Sequence, residues 1–198
     1  VLIAISAYVI GRNANPPKQV LKYEAFQAIG EIAAKEISGL VGGTGTILVI
    51  TRKDWDGPSI QVAIDTFTDR LKSNEGVDIG ATEIIVVPVE ETVLPASEFF
   101  QIIRLHPECS GVVSFAGPPD SVEGHWSLVA GLKAKVLVLA LSNTGTIREY
   151  LSRGAIHAAI VPQSSIPAAG LSAPSSLHEW FERSYQLITS DNLHSTNF

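Results

Sequence analysis

The apolar positions of this chain fall into two alternating rhythms. From Lys18 to Leu40 they include Leu21, Phe26, Ile29, Ile32, Ala33 and Ile37. Spacings of three and four dominate, which predicts an amphipathic helix. Gly39 and the Gly42-Gly43 pair end it. Ile47-Leu48-Val49-Ile50 is an unbroken apolar run, the mark of a strand covered on both faces. Gly57-Pro58-Ser59 opens a second helix, with Ile60, Ala63, Ile64, Phe67 and Leu71 on one side and Asn74-Glu75-Gly76 at its end. The alternation then repeats. Strands are predicted over Thr82–Val89, Gly111–Phe115, Val136–Leu141 and Ile156–Val161. Helices are predicted over Ala96–His106 (Phe99, Ile102, Ile103 and Leu105 inward), Ser121–Leu132 and Thr146–Arg153. After a loop over Gln163–Ser175 a last helix is predicted over Ser176–Leu187, with Ser176 as N-cap and Glu179 three residues on.

Strands this apolar, alternating with helices, need cover on both faces. The expected fold is α/β: one three-layer domain, with a five-stranded, mostly parallel sheet in the order 2-1-3-4-5 and helices on both sides. An N-terminal apolar helix precedes it. The expected division is 1–17 for the apolar segment and linker and 18–198 for the α/β lobe.

Val1–Ile10 carries no charge, and Pro16-Pro17 follow. As helix, ten residues reach about 15 Å, half a bilayer core. Two readings stand: the outer half of a membrane helix, with Tyr8 at the interface, or a buried strand of the soluble fold. The first is adopted. There is no methionine, even at position 1, so an upstream segment or processing is expected.

Composition narrows the function. Hydrophobic residues make up 45% and charged residues 17%, which marks a globular chain. The net charge of −6 has no basic run to offset it and argues against nucleic acid. Cys109 is alone, so it forms no internal disulfide, and its expected role is packing. No histidine pair has the helical spacing of a zinc site, and no G-x-S-x-G elbow occurs. His157 sits among apolar neighbours and reads as a satisfied core or edge histidine. No catalytic residue, metal or cofactor is assigned.

Parallel α/β sheets bind ligands at the carboxyl ends of their strands. Gly42-Gly43-Thr44-Gly45 precedes its strand, so it connects elements rather than holding phosphate. The segments that follow strands contain Arg52, Trp55, Asp120, Asn143 and Gln163. Arg52 suits an anion, Trp55 a sugar or ring, and Asp120 and Asn143 suit hydroxyls or amines. Each also reads plainly as a turn residue.

In order, these segments resemble the carboxyl-terminal lobe of type I periplasmic binding proteins and of lactose-repressor-type effector domains. Tyr23-Glu24-Ala25 with Ile29-Gly30-Glu31-Ile32-Ala33-Ala34 is similar to the helix that begins that lobe. Gly45–Thr51 resembles its first strand, and Phe67-Thr68-Asp69-Arg70-Leu71 its G-F-x-x-x-L helix. Leu105-His106-Pro107-Glu108 resembles the step before the next strand. Arg153–Gln163 resembles the G-x-I-x-A-x-V-x-Q stretch, and Tyr185–Asn192 the closing Y-x-x-V-T-x-x-N. The resemblance spans Tyr23 to Asn192. It carries over Gln163, with Asp120 and Asn143. The family's N-D is Ala116-Gly117-Pro118-Pro119 here, its later aspartate is Asn143, and its arginine is missing from Ser59 and Gln61.

The resemblance implies a non-enzymatic, extracytoplasmic binding or sensing domain holding a small sugar-like molecule, and the apolar head adds a membrane tether at its N-terminus. The first lobe is expected to be absent, and one lobe alone cannot enclose a ligand. The alternative is an accessory or structural subunit of a membrane protein complex that has lost ligand binding. A fragment of a two-lobed protein is a further possibility.

Overall fold

The computed structural model describes residues 23–53, 57–86, 94–121, 126–142, 144–164, 172–196 and 198. The apolar head, Trp55 and Asn143 lie outside the described residues. Helix α1 (Glu24–Leu40) leads to β1 (Gly45–Arg52), α2 (Pro58–Lys72) and β2 (Val77–Ile85). Then come α3 (Ala96–Leu105), β3 (Gly111–Ser114), a 3-10 turn at Trp126–Leu128 and β4 (Lys135–Leu139). Helix α4 (Ile147–Ser152), β5 (Ala158–Pro162), α5 (Leu177–Ser184) and β6 (Tyr185–Thr189) complete the order.

The sheet order is β2-β1-β3-β4-β5-β6. The first five strands are parallel and follow the expected 2-1-3-4-5. A sixth, β6, runs antiparallel to β5. Strand parity sorts the core. Ile47, Val49, Val113, Leu137, Leu139, Ala158 and Ile160 face a layer of α1, α2 and α5. Leu48, Ile50, Val112, Val136, Val138, Ala159 and Val161 face α3 and α4. Helices therefore cover both faces, which is what each unbroken apolar run requires.

Four details differ from the sequence reading. The last helix stops at Ser184, and Tyr185–Thr189 is extended. Tyr-Gln-Leu-Ile-Thr suits a strand, and the open edge of β5 offers it a ladder, with Leu187 opposite Ile160. Only the 3-10 turn forms within the helix predicted over Ser121–Leu132, among the described residues of that stretch. Gly131 there takes φ 80°, which a helix does not allow. Leu105 is not inward but 67% exposed; Phe100 takes the buried place. Strand β2 starts at Val77, ahead of the expected Thr82.

That early start contains a bulge. The register of β1 on β2 slips between Ile47 and Leu48, which face Ile79 and Ala81 and leave Gly80 over. A Cβ on Gly80 would lie 2.1 Å from Thr46 Cγ2. The slip turns β2 over: Val77 and Ile79 pack toward α1 and α2, while Ala81 and Ile85 pack toward α3. Glu83 goes with the second set.

Two predicted caps are present. Gly42 and Gly43 take φ 75° and 79° after α1, and Gly43 N–H donates to Ser38 O at 2.8 Å. Ser176 Oγ accepts from Glu179 N–H at 3.2 Å, starting α5. Among the described residues no helix is long and apolar enough to cross a membrane.

His157, just before β5, accepts Val136 N–H on Nδ1 at 3.2 Å. This bond needs the neutral ring. Burial, and then the Lys135 charge, hold its pKa below the usual 6.5. A depressed folded value means the unfolded chain takes the proton first as pH falls. The group's contribution is full above pH 6.5 and declines as pH drops through the folded value. His106 works the other way, because bonding to Glu83 raises its pKa. The expected result is therefore read as a difference: between pH 7.5 and 5, wild type loses more urea stability than His157→Gln. Equal losses would contradict it.

Candidate functional site

The carboxyl ends of the five parallel strands share one edge of the sheet. Chain order reverses beside β1: β2 lies on one side of it and β3 on the other. Crossovers leave in opposite directions from this point, the place where open α/β sheets form a ligand crevice, here between the ends of β1 and β3. Phe115 N–H still donates to Ile50 O at 2.8 Å. The paired register of these two strands runs as far as Ile50 and Ser114.

On one wall, β1 ends in Arg52, only 9% exposed, with Lys53 exposed beside it. The other wall is Phe115-Ala116-Gly117-Pro118-Pro119, all buried. Ser114 Oγ donates to Gly117 O at 2.8 Å, and Gly117 takes φ 101° to make the turn. Pro119 bridges Leu94, and Thr146 Oγ1 donates to Pro119 O at 3.1 Å.

Asp120 closes this wall. Its Oδ1 accepts Ala96 N–H at 2.7 Å, so the carboxylate satisfies the first turn of α3, where negative charge is favoured. Its N–H donates to Leu94 O at 2.8 Å. Its carbonyl accepts the Tyr150 hydroxyl. Burial, and then Asp120, push that phenol well above its usual pKa, so it remains a donor. Asp120 thus ties α3 and α4 to the end of β3.

Gln163 is similarly engaged at the end of β5. Its Nε2 donates to Glu182 O at 3.0 Å and Tyr185 O at 3.1 Å, and its N–H donates to Ser184 O at 2.9 Å. The side chain braces the junction of α5 and β6. It also borders a cavity of about 430 Å³ with Ile32, Glu36, Phe181 and Tyr185. Burial raises the pKa of Glu36 and of Tyr185 there. Of the five sequence candidates, Arg52 is the last residue of β1, and Asp120 and Gln163 come after β3 and β5, which end at this edge. Trp55 and Asn143 follow β1 and β4 in the chain but lie outside the described residues.

One cluster escaped the sequence reading. At the turn from α3 into β3, one ligand atom each from His106, Glu108 and Cys109 lies within 4.8 Å of the others. His106 Nδ1 is 3.2 Å from Glu108 Oε1, and Nε2 is 2.9 Å from Glu83 Oε1. The H-x-E-C run is visible in the chain, but Glu83 joins it only because the Gly80 bulge turns β2 over.

No family model matches the sequence, and no curated protein matches it. Solved structures do match. An arabinose binding protein from Geobacillus stearothermophilus aligns with a TM-score of 0.59 at 16% identity, over 87% of this chain and 63% of that one. A glucose-galactose binding protein from the same organism aligns with a TM-score of 0.58 at 18% identity, over 85% and 61%. A protein from Bacteroides fragilis assigned to the LacI transcriptional regulators aligns with a TM-score of 0.59 at 9% identity, over 87% and 62%. The fold is that of a type I periplasmic binding protein lobe, as the sequence resemblance implies. The chain spans about three-fifths of the length of these structures.

Proposed function

We propose that this chain is a non-enzymatic, extracytoplasmic binding or sensing lobe that meets a small sugar-like molecule at the carboxyl edge of its sheet. The observation that carries the reading is the switch in strand order at β1 and β3, with Arg52 on one side and the Asp120 turn on the other, in a fold whose solved neighbours include sugar-binding proteins. Arg52, Trp55, Asp120, Asn143 and Gln163 form the proposed site. Asp120 and Gln163 each spend polar atoms on backbone groups. What they offer a ligand is the second carboxylate oxygen and the amide oxygen. A guanidinium, a carboxylate and an amide oxygen along one sheet edge suit a polyol, whose hydroxyls both donate and accept. Tethering to a membrane through Val1–Ile10 belongs to the same proposal.

A single wall covers one face of a ring, so affinity for free sugar is low until a second protein surface supplies the other face. A thermal-shift series with arabinose, ribose, galactose and glucose tests this. A sugar at about 100 times its Kd adds about 2.7 kcal/mol of stability, and Arg52→Ala removes the gain. No shift with any sugar at its solubility limit contradicts the reading.

The second reading is an accessory or structural subunit of a membrane protein complex. The internal bonds of Asp120 and Gln163 favour it, because both are explained without a ligand.

A further inference from the structure

We propose that His106, Glu108 and Cys109 form a site for a divalent transition-metal ion, zinc by donor type, with Glu83 orienting the histidine. The site lies at the far end of α3 from the Asp120 anchor and is independent of sugar binding.

The geometry supports it edge by edge. Zinc bonds of about 2.0–2.3 Å in a tetrahedron place donors about 3.3–3.8 Å apart. His106 Nδ1 and Glu108 Oε1 are 3.2 Å apart, and Glu108 Oε1 and Cys109 Sγ 3.9 Å. All three donors lie within 4.8 Å, so closing the last edge needs a side-chain shift of about 1 Å at most. The donor set of imidazole nitrogen, thiolate and carboxylate is one zinc accepts, and calcium or magnesium does not seek the thiolate.

The second, independent observation is at the other ring nitrogen. Histidine ligands usually give their remaining N–H to a carboxylate, which fixes the tautomer and the ring plane. His106 Nε2 meets Glu83 Oε1 at 2.9 Å, an arrangement the Gly80 bulge makes possible. Beside the cluster is a cavity of about 250 Å³ lined by His106, Cys109, Leu132 and Lys133. It leaves room for water or a small anion as fourth ligand, and Lys133 favours the anion. Coordination displaces the Nδ1 proton and the thiol proton to solvent, so affinity rises with pH.

The test uses the full chain, reduced, titrated with Co²⁺ as a probe and competed with Zn²⁺. The expected result is a saturable near-ultraviolet thiolate–cobalt band at one equivalent, bleached by Zn²⁺, with a rise in Tm that a chelator reverses. Cys109→Ser loses the band, and His106→Gln loses saturable binding. Glu83→Gln keeps the site but weakens it about 10- to 100-fold. Cooperative urea unfolding of each variant confirms that it is folded. No saturable band in the folded wild type overturns the proposal. So does a Co²⁺ affinity unchanged by His106→Gln.

Discussion

Replacing Phe67 by alanine is expected to lower the unfolding free energy by about 3–5 kcal/mol, the range for a fully buried aromatic cut to a methyl. Phe67 is 0% exposed, at the centre of the face α2 turns to the sheet. Its ring meets Phe115 edge-on, with centroids 5.5 Å apart at 71°. Such pairs add to plain area burial. Phe115 is the first residue past β3, where the β1–β3 crevice begins. The cavity left by Phe67→Ala would therefore lie directly beneath the Ser114–Asp120 wall, and relaxation into it would loosen that wall. Urea unfolding measures the loss. A change under about 1 kcal/mol would mean that α2 does not pack on the sheet in this way.

The second large effect reverses a familiar preference. Gly30 lies inside α1, where alanine is ordinarily better by about 1 kcal/mol. Here a Cβ would lie 2.3 Å from Ala63 O and 2.8 Å from Phe67 N, both backbone atoms of α2. Backbone cannot swing aside as a side-chain tip can, so the two helices must separate. Overpacking of this kind costs about 1–3 kcal/mol, and after the helix gain the net expectation for Gly30→Ala is a loss of up to about 2 kcal/mol. Gly39 in the same helix is the control. Nothing lies within 4 Å of its would-be Cβ, and it is exposed. Gly39→Ala should leave stability unchanged or raise it by up to about 1 kcal/mol. If both substitutions behave alike, the close approach of α1 and α2 is wrong.

The sheet was legible in the sequence because its signal is local. Ile47–Ile50 and Val136–Leu139 are apolar at every position, and only burial on both faces explains that. Their order followed from handedness and short connections. The final strand was not legible. Tyr185-Gln186-Leu187-Ile188 continues the apolar spacing of α5 closely enough to read as helix, and the deciding factor is the open edge of β5, which is tertiary. Leu105 failed for a similar reason. It falls in the last turn of α3, where a periodic pattern does not reveal whether the opposing layer still reaches it.

The candidate site was legible as a place and less so as a set of roles. Arg52 is the last residue of β1, and Asp120 and Gln163 come after β3 and β5. That Asp120 anchors α3 through Ala96 N–H, or that Gln163 braces the turn from α5 into β6, depends on partners far along the chain. The His106 cluster has the same character. His106, Glu108 and Cys109 are neighbours in sequence, but the fourth participant arrives from β2 through a one-residue bulge.

The central claim concerns the carboxyl edge, and a residue-resolved amide NMR titration with arabinose tests it most directly. The account expects shifts concentrated at Arg52, Lys53 and Phe115–Gly117, weakened by Arg52→Ala. Shifts confined to the cavity between α1 and α5, or none at saturating sugar, would contradict it.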